Sequence, residues 1–263
     1  MASLDPVLDK DGVRLTVDEA IATVTLTNPA KRNAQSPALW RALTEAGRAL
    51  PGSVRVVVLR AEGQSFSAGL DRQMFTPEGI EGEPTFIDLA RSGDEELDAT
   101  IAGYQEAFTW WRQSDIVSVA AVQGHAIGAG FQLALACDLR VVADDVQFAM
   151  RETSLGLVPD LTGTHPLVGL VGYARALEIC VTGRFVGAEE AVTTGLANIA
   201  VSRDQLDETV GDLATALLAA PRDAVIETKA LLRGAQERTY DDQRAAERAA
   251  QARRLRDLAG VGE

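Results

Sequence analysis

The chain has 263 residues, 46% of them hydrophobic and 24% charged, the profile of a globular protein with enough apolar side chains for one sizeable core. Its formal net charge of −13 argues against nucleic acid or an anionic membrane as a partner, because both need a basic face that displaces counterions. Two cysteines in apolar runs, Cys137 and Cys180, together with no basic-then-apolar leader in "MASLDPVLDKDGVRL" and no uninterrupted apolar run of about 18 residues, lead to the expectation of a reduced, cytoplasmic protein that is neither exported nor membrane-spanning.

Residues 12–29, "GVRLTVDEAIATVTLTNP", alternate apolar and polar side chains and stop at Asn-Pro, which predicts two strands and a turn. A helix is expected over 36–50, where Leu39, Leu43 and Leu50 follow Ser36 as N-cap and Pro37 at the first helical position. The run "VRVVVLRAEG" (54–63) reads as a buried parallel strand. From Gln73 to Asp98 eight carboxylates face the single Arg91 among glycines and prolines, which suggests a mobile excursion. Beyond it, Phe108, Trp110 and Trp111 read either as core anchors or as walls of a ligand pocket. Another buried strand is expected over 115–124, a buried helix over 128–138 and a third such strand over 139–145, giving one α/β core. After about residue 200 three amphipathic helical segments follow, which fold back on the core or pack on another subunit.

Two glycine-containing loops each follow a predicted strand: "SFSAGLDR" (65–72) and "GHAIGAG" (124–130). Small residues there let a ligand approach main-chain N–H groups, and the second loop enters a helix whose N-terminal dipole favours negative charge, so the pair can cradle an oxyanion. The order of Gly124, Gly128 and Gly130 is not a dinucleotide fingerprint, no phosphate-loop lysine motif is present, and Ser67 lacks the surroundings of a nucleophile elbow. His125 and His165 are the only histidines, and with the cysteines they have no metal-ligand spacing.

"NPAKRNA", "SFSAGLDR", "AAVQGHAIGAGFQLALACDLRVVADDVQFAM" and "ETSLGLVPDLTGTHPL", in that order and followed by "AVTTGLANIAV", resemble the crotonase (enoyl-CoA hydratase/isomerase) superfamily. The resemblance implies a spiral of ββα units over residues 1–200 that binds acyl-CoA, with a C-terminal helical region over 201–263 that forms homotrimers or dimers of trimers. It implies no cofactor, since coenzyme A arrives as part of the substrate. The thioester oxygen would sit between the backbone N–H groups of Leu70 and Ala129. Ala34, Ala68, Gly69, Asp71, Gly128 and Gln132 would line the substrate path, and Arg32 and Arg72, with Lys229 beside them, would face the CoA phosphates. Many relatives carry an acidic and aromatic stretch beyond the position of Glu263, so a contact over a neighbouring subunit is expected to be missing.

Two carboxylates decide the chemistry. Glu152 matches the family's catalytic glutamate; on spacing alone it is equally an exposed carboxylate beside Arg151. Asp160 matches a second acid found in relatives that isomerise dienoyl-CoA, and equally reads as the cap of a helix in "LTGTHPLVGLVG". Dehalogenases of the superfamily place an aspartate at that site too, but with an aromatic residue where Glu152 stands. Hydratases have a further glutamate where this chain has Gln132, which either orients water or is a satisfied buried amide; an amide cannot exchange a proton as a carboxyl can. The expected activity is therefore a double-bond shift in enoyl- or dienoyl-CoA. Hydration by Glu152 alone and a non-catalytic acyl-CoA-binding protein remain as alternatives.

Overall fold

The computed structural model describes residues 5–261; the first four residues, part of the segment read for an export signal, lie outside it. Strands β1 (Leu8–Lys10), β2 (Val13–Asp18) and β3 (Ile21–Leu26) form an antiparallel meander. Helix α1 (Pro37–Arg48) starts as expected, with Ser36 Oγ accepting from the Leu39 N–H at 3.3 Å. Strand β4 (Val56–Ala61) then pairs in parallel with β3.

The acidic stretch is structured, which corrects the expectation of a mobile excursion. It contains α2 (Phe86–Arg91), closed by a reciprocal capping box between Thr85 and Asp88, and α3 (Asp94–Thr109), whose first turn holds Asp94, Glu95 and Glu96. Four of the carboxylates therefore sit where helix N-termini favour negative charge. Helix α3 packs on α1 through Trp40, whose ring lies 4.8 Å from Tyr104 and 6.2 Å from Phe108. Phe108, Trp110 and Trp111 are buried core anchors.

Two successive ββα turns follow. Strand β5 (Val117–Val122) leads through β6 (His125–Ile127) into α4 (Ala129–Ala136), and β7 (Leu139–Ala143) leads through β8 (Gln147–Ala149) toward α5 (Thr164–Val171). The first strand of each turn joins the large sheet in parallel, and the second joins a small one. Helix α6 (Tyr173–Thr182), β9 (Val186–Gly187), α7 (Ala188–Thr193) and β10 (Ile199–Val201) complete the sheets, ordered β1-β2-β3-β4-β5-β7-β10 and β6-β8-β9. One face of the large sheet packs against α1, α3 and α4. The other is covered by α8 (Leu206–Ala219), whose Leu206, Val210 and Ala214 meet Val56, Val119 and Val141.

Helix α4 is buried along all eight residues. Its last carbonyls are held by two arginines: Arg112 donates to Leu135 and Ala136, and Arg140 donates to Cys137 at 2.8 Å. Two cations at this end complement the helix dipole and fix the axis whose other end reaches the second glycine loop. Arg140 is fully buried with carbonyl partners only, and burial pulls its guanidinium down to about 10.

Two further helices, α9 (Arg222–Gly234) and α10 (Tyr240–Leu258), end the described chain. Lys229 on α9 is buried, donating to the Ile116 carbonyl at 2.6 Å and to Asp138 at 2.7 Å. This corrects its suggested place beside the CoA phosphates, because its ammonium is already engaged in tying α9 to the core. No helix among the described residues is long and apolar enough to cross a membrane.

Candidate functional site

The first glycine loop is held on both sides by strand-like pairing. Ser67 pairs with Ala126, and Leu70 pairs with Gln35 through Gly69 O and Asp71 N, each at 2.7 Å. Neighbouring peptide groups of an extended segment point to opposite sides, so this pairing turns the Leu70 N–H away from Gln35. Among the described residues it makes no hydrogen bond. A polar network lies beneath the loop that no sequence motif marks: fully buried Gln35 donates to Ser67 Oγ at 3.2 Å and accepts from Trp40 Nε1 at 2.8 Å, while Ser67 Oγ donates to the Asn33 carbonyl at 2.7 Å. Polar residues adjoining "NPAKRNA" were its one visible sign. Ala68 N donates to the Arg32 carbonyl at 2.8 Å, joining that segment to the loop.

In the second loop Gly128 donates to the Ala149 carbonyl at 2.8 Å and takes φ 50°, ψ −118°, a conformation that glycine tolerates and L side chains avoid. Ala129 is the first residue of α4, so its N–H has no partner within the helix, and none elsewhere among the described residues. The two loops touch: a methyl group on Gly69, whose φ is +83°, would lie 2.5 Å from the Ile127 carbonyl oxygen and 3.7 Å from Ala129 N. Two unpaired amides are thus brought onto neighbouring strands of backbone.

Glu152 opens a 3-10 turn, Glu152–Leu155, just after β8. A methyl group on Gly128 would lie only 3.2 Å from its Oε1, so the carboxylate stands over the second loop. Oε1 accepts from Gln132 Nε2 at 2.7 Å, while Oε2 is buried without a hydrogen-bond partner among the described residues. Burial pushes the Glu152 carboxyl above the ordinary glutamate range, opposed by hydrogen bonding and assisted by the charge of Asp160. Gln132 is the satisfied buried amide of the two alternatives: its Oε1 accepts from the N–H groups of Leu161 at 2.9 Å and Gly163 at 3.3 Å.

Asp160 does not cap a helix. Helix α5 begins only at Thr164, with Gly163 as N-cap and no side-chain cap. Asp160 is an exposed residue within electrostatic reach of Glu152, and partial desolvation by the surrounding chain raises its carboxyl above the ordinary aspartate range. Gln105 holds the Asp160 carbonyl at 2.7 Å.

The remaining residues divide. Arg32 and Arg72 are exposed and form no ion pair among the described residues. Asp71 is committed locally, to Lys31 Nζ at 3.1 Å and to the Gln73 N–H at 3.0 Å. Ala34 is half-buried and Ala68 exposed beside the loop. His125 packs edge-on to Phe185 at 6.0 Å. No group of three potential metal ligands occurs among the described residues.

The family model described as enoyl-CoA hydratase/isomerase matches residues 16–257. A Thermobifida fusca YX protein described as a candidate enoyl-CoA hydratase, solved in complex with CoA, superposes with a TM-score of 0.90 at 48% identity over 95% of both chains. The carnitinyl-CoA dehydratase of Salmonella typhi is 33% identical over 88% of this chain and 84% of its own length. A 4-chlorobenzoyl coenzyme A dehalogenase of an Arthrobacter species is 33% identical over 77% and 71%.

Proposed function

This chain belongs to the enoyl-CoA hydratase/isomerase family, and from that premise we propose that it shifts a carbon–carbon double bond in an enoyl- or dienoyl-CoA through a thioester enolate. The observation that carries this reading is the buried, unpartnered Oε2 of Glu152, on a carboxyl that burial makes more basic, above the loop that begins α4. In the proposed reaction Oε2 takes a proton from the carbon activated by the thioester. The negative charge left on the thioester oxygen is stabilised by the N–H groups of Leu70 and Ala129, and the proton returns to another carbon of the conjugated system. One amide donor of this kind is worth about 3 kcal/mol at the transition state.

Asp160 serves as the second acid when the double bonds extend further along the chain, and the exposed Arg32 and Arg72 meet the CoA phosphates. The engagement of Gln132 with Glu152 supports single-base chemistry, since an amide that cannot exchange a proton holds the carboxylate through one of its N–H groups and is itself held by the Leu161 N–H. Hydration by Glu152 alone is the second reading, favoured by the dehydratase named among the relatives. The proposal also includes a homotrimer or dimer of trimers, tested by light scattering. Steady-state rates with crotonyl-CoA, a 3-enoyl-CoA and a 3,5-dienoyl-CoA separate the readings. Isomerisation faster than hydration supports the first; the reverse order replaces it with the second, and tight binding without turnover or solvent deuterium uptake would leave an acyl-CoA-binding protein.

A further inference from the structure

We propose that Gln132 is a positioning residue: its amide fixes the Glu152 carboxylate with one oxygen occupied and the other free, and seats the segment that carries Asp160 against it. The role in catalysis rests on Glu152 being the base. Gln132 lies in the first turns of α4, the helix whose opening residue bears one proposed oxyanion donor. Its Nε2 donates to Glu152 Oε1 at 2.7 Å, and its Oε1 accepts from Leu161 N at 2.9 Å and Gly163 N at 3.3 Å. The partners fix which way the amide faces, because backbone N–H groups can only donate and an ionised carboxylate can only accept.

Glutamine satisfies both ends without taking up a proton. An ionised glutamate would keep the bonds from Leu161 and Gly163 but set oxygen against oxygen at Glu152, and only its protonated form could donate there. A methionine would fill the space and make neither bond. Space is also tight, since a methyl group on Gly163 would lie 2.6 Å from Gln132 Cγ. With Oε1 occupied, the unpartnered Oε2 is the oxygen left to receive a proton. The other titratable groups that bear on this carboxyl are Asp160 on the seated segment and Cys180 on α6, while the backbone of Glu152 and of Arg151 favours its charged form; the Arg151 guanidinium lies 5.4 Å from the Phe185 ring. Asp160 opposes ionisation, as burial does, while the bond from Gln132 favours it.

The test titrates the full-length protein carrying 13C-carboxyl glutamate, with the Glu152 resonance identified by its absence in Glu152→Gln. In Gln132→Met the Glu152 midpoint should rise by about one unit or more, the worth of a hydrogen bond to a charged group. In Gln132→Glu two coupled titrations should appear, the upper one above the wild-type midpoint. Gly163→Ala, which displaces the amide without deleting it, should raise the midpoint too and serves if Gln132→Met does not fold, as judged by thermal melting. The acidic limb of kcat should move with the midpoint, with KM little changed. A Glu152 midpoint equal to that of wild type in the folded variants overturns the positioning role, whatever their stability. Full solvent-proton exchange by Glu152→Gln would instead remove the assigned base, while the titration still decides what Gln132 does to the carboxylate.

Discussion

Replacing Glu152 by glutamine keeps the shape of the side chain and removes its ability to accept a proton. The best placement puts the new amide oxygen where Oε1 accepts from Gln132 Nε2, which sends the NH2 group into the buried position of Oε2, where no partner stands among the described residues. Leaving a buried donor unsatisfied costs about 1–3 kcal/mol. Loss of a general base costs about 10²- to 10⁴-fold in rate, or roughly 3–5.5 kcal/mol of activation free energy. Stability should move with pH in a defined sense. Burial raises the folded pKa of Glu152 above its ordinary value of 4.5, so the folded state binds that proton more tightly than the unfolded chain. This contribution is complete below about pH 4.5 and is lost as pH rises through the higher folded value. The variant lacks that loss, so its melting temperature relative to wild type should improve from pH 4 toward pH 8. Isomerisation and solvent-deuterium exchange at several pH values, alongside thermal melts, test both parts. A variant within tenfold of wild-type turnover would refute the base assignment, and a melting difference independent of pH would refute the desolvation argument.

Asp160→Asn should lower the acidic limb of kcat, because Asp160 helps raise the Glu152 carboxyl, and should slow 3,5-dienoyl-CoA isomerisation more than 3-enoyl-CoA isomerisation; equal losses on both would remove Asp160 as second acid. Gly69→Ala forces a methyl group to 2.5 Å from the Ile127 carbonyl oxygen at φ +83°, separating the two loops. Its kcat should fall about 10²- to 10³-fold, the cost of one oxyanion donor, and unchanged kcat would contradict the paired-amide account. Lys229→Met breaks a buried pair with Asp138 and should cost about 3 kcal/mol, lowering Tm by roughly 6–12 °C. CoA affinity measured by calorimetry should be unaffected, whereas a weakened affinity in the folded variant would return Lys229 to the phosphate site.

Much of the large sheet was legible because its elements carry strong local signals. The Ser36-Pro37 start announced α1, alternation announced β2 and β3, and continuous apolar runs announced β4, β5 and β7. Strands of two or three residues, such as β6, β8 and β9, are too short for a period to be seen; they exist because their neighbours in space pair with them. The charge density of residues 73–98 hid two helix starts, since acids that read as solvated coil also serve as caps and first-turn residues. Motif resemblance singled out both carboxylates and both loops, which the fold brings next to one another. It did not disclose the bonds of Gln132, which reach residues 20 and 29 positions away and depend on a backbone segment meeting α4. Nor did it disclose the Gln35–Ser67–Trp40 network, where each side chain taken singly is an ordinary polar or aromatic residue.

In a crystal structure of this chain with acetoacetyl-CoA, the thioester oxygen should lie about 2.7–3.1 Å from both Leu70 N and Ala129 N, with Glu152 Oε2 facing the carbon between the two carbonyls. A thioester oxygen bound away from those two amides, or a Glu152 carboxylate turned away from that carbon, would contradict the proposed enolate chemistry.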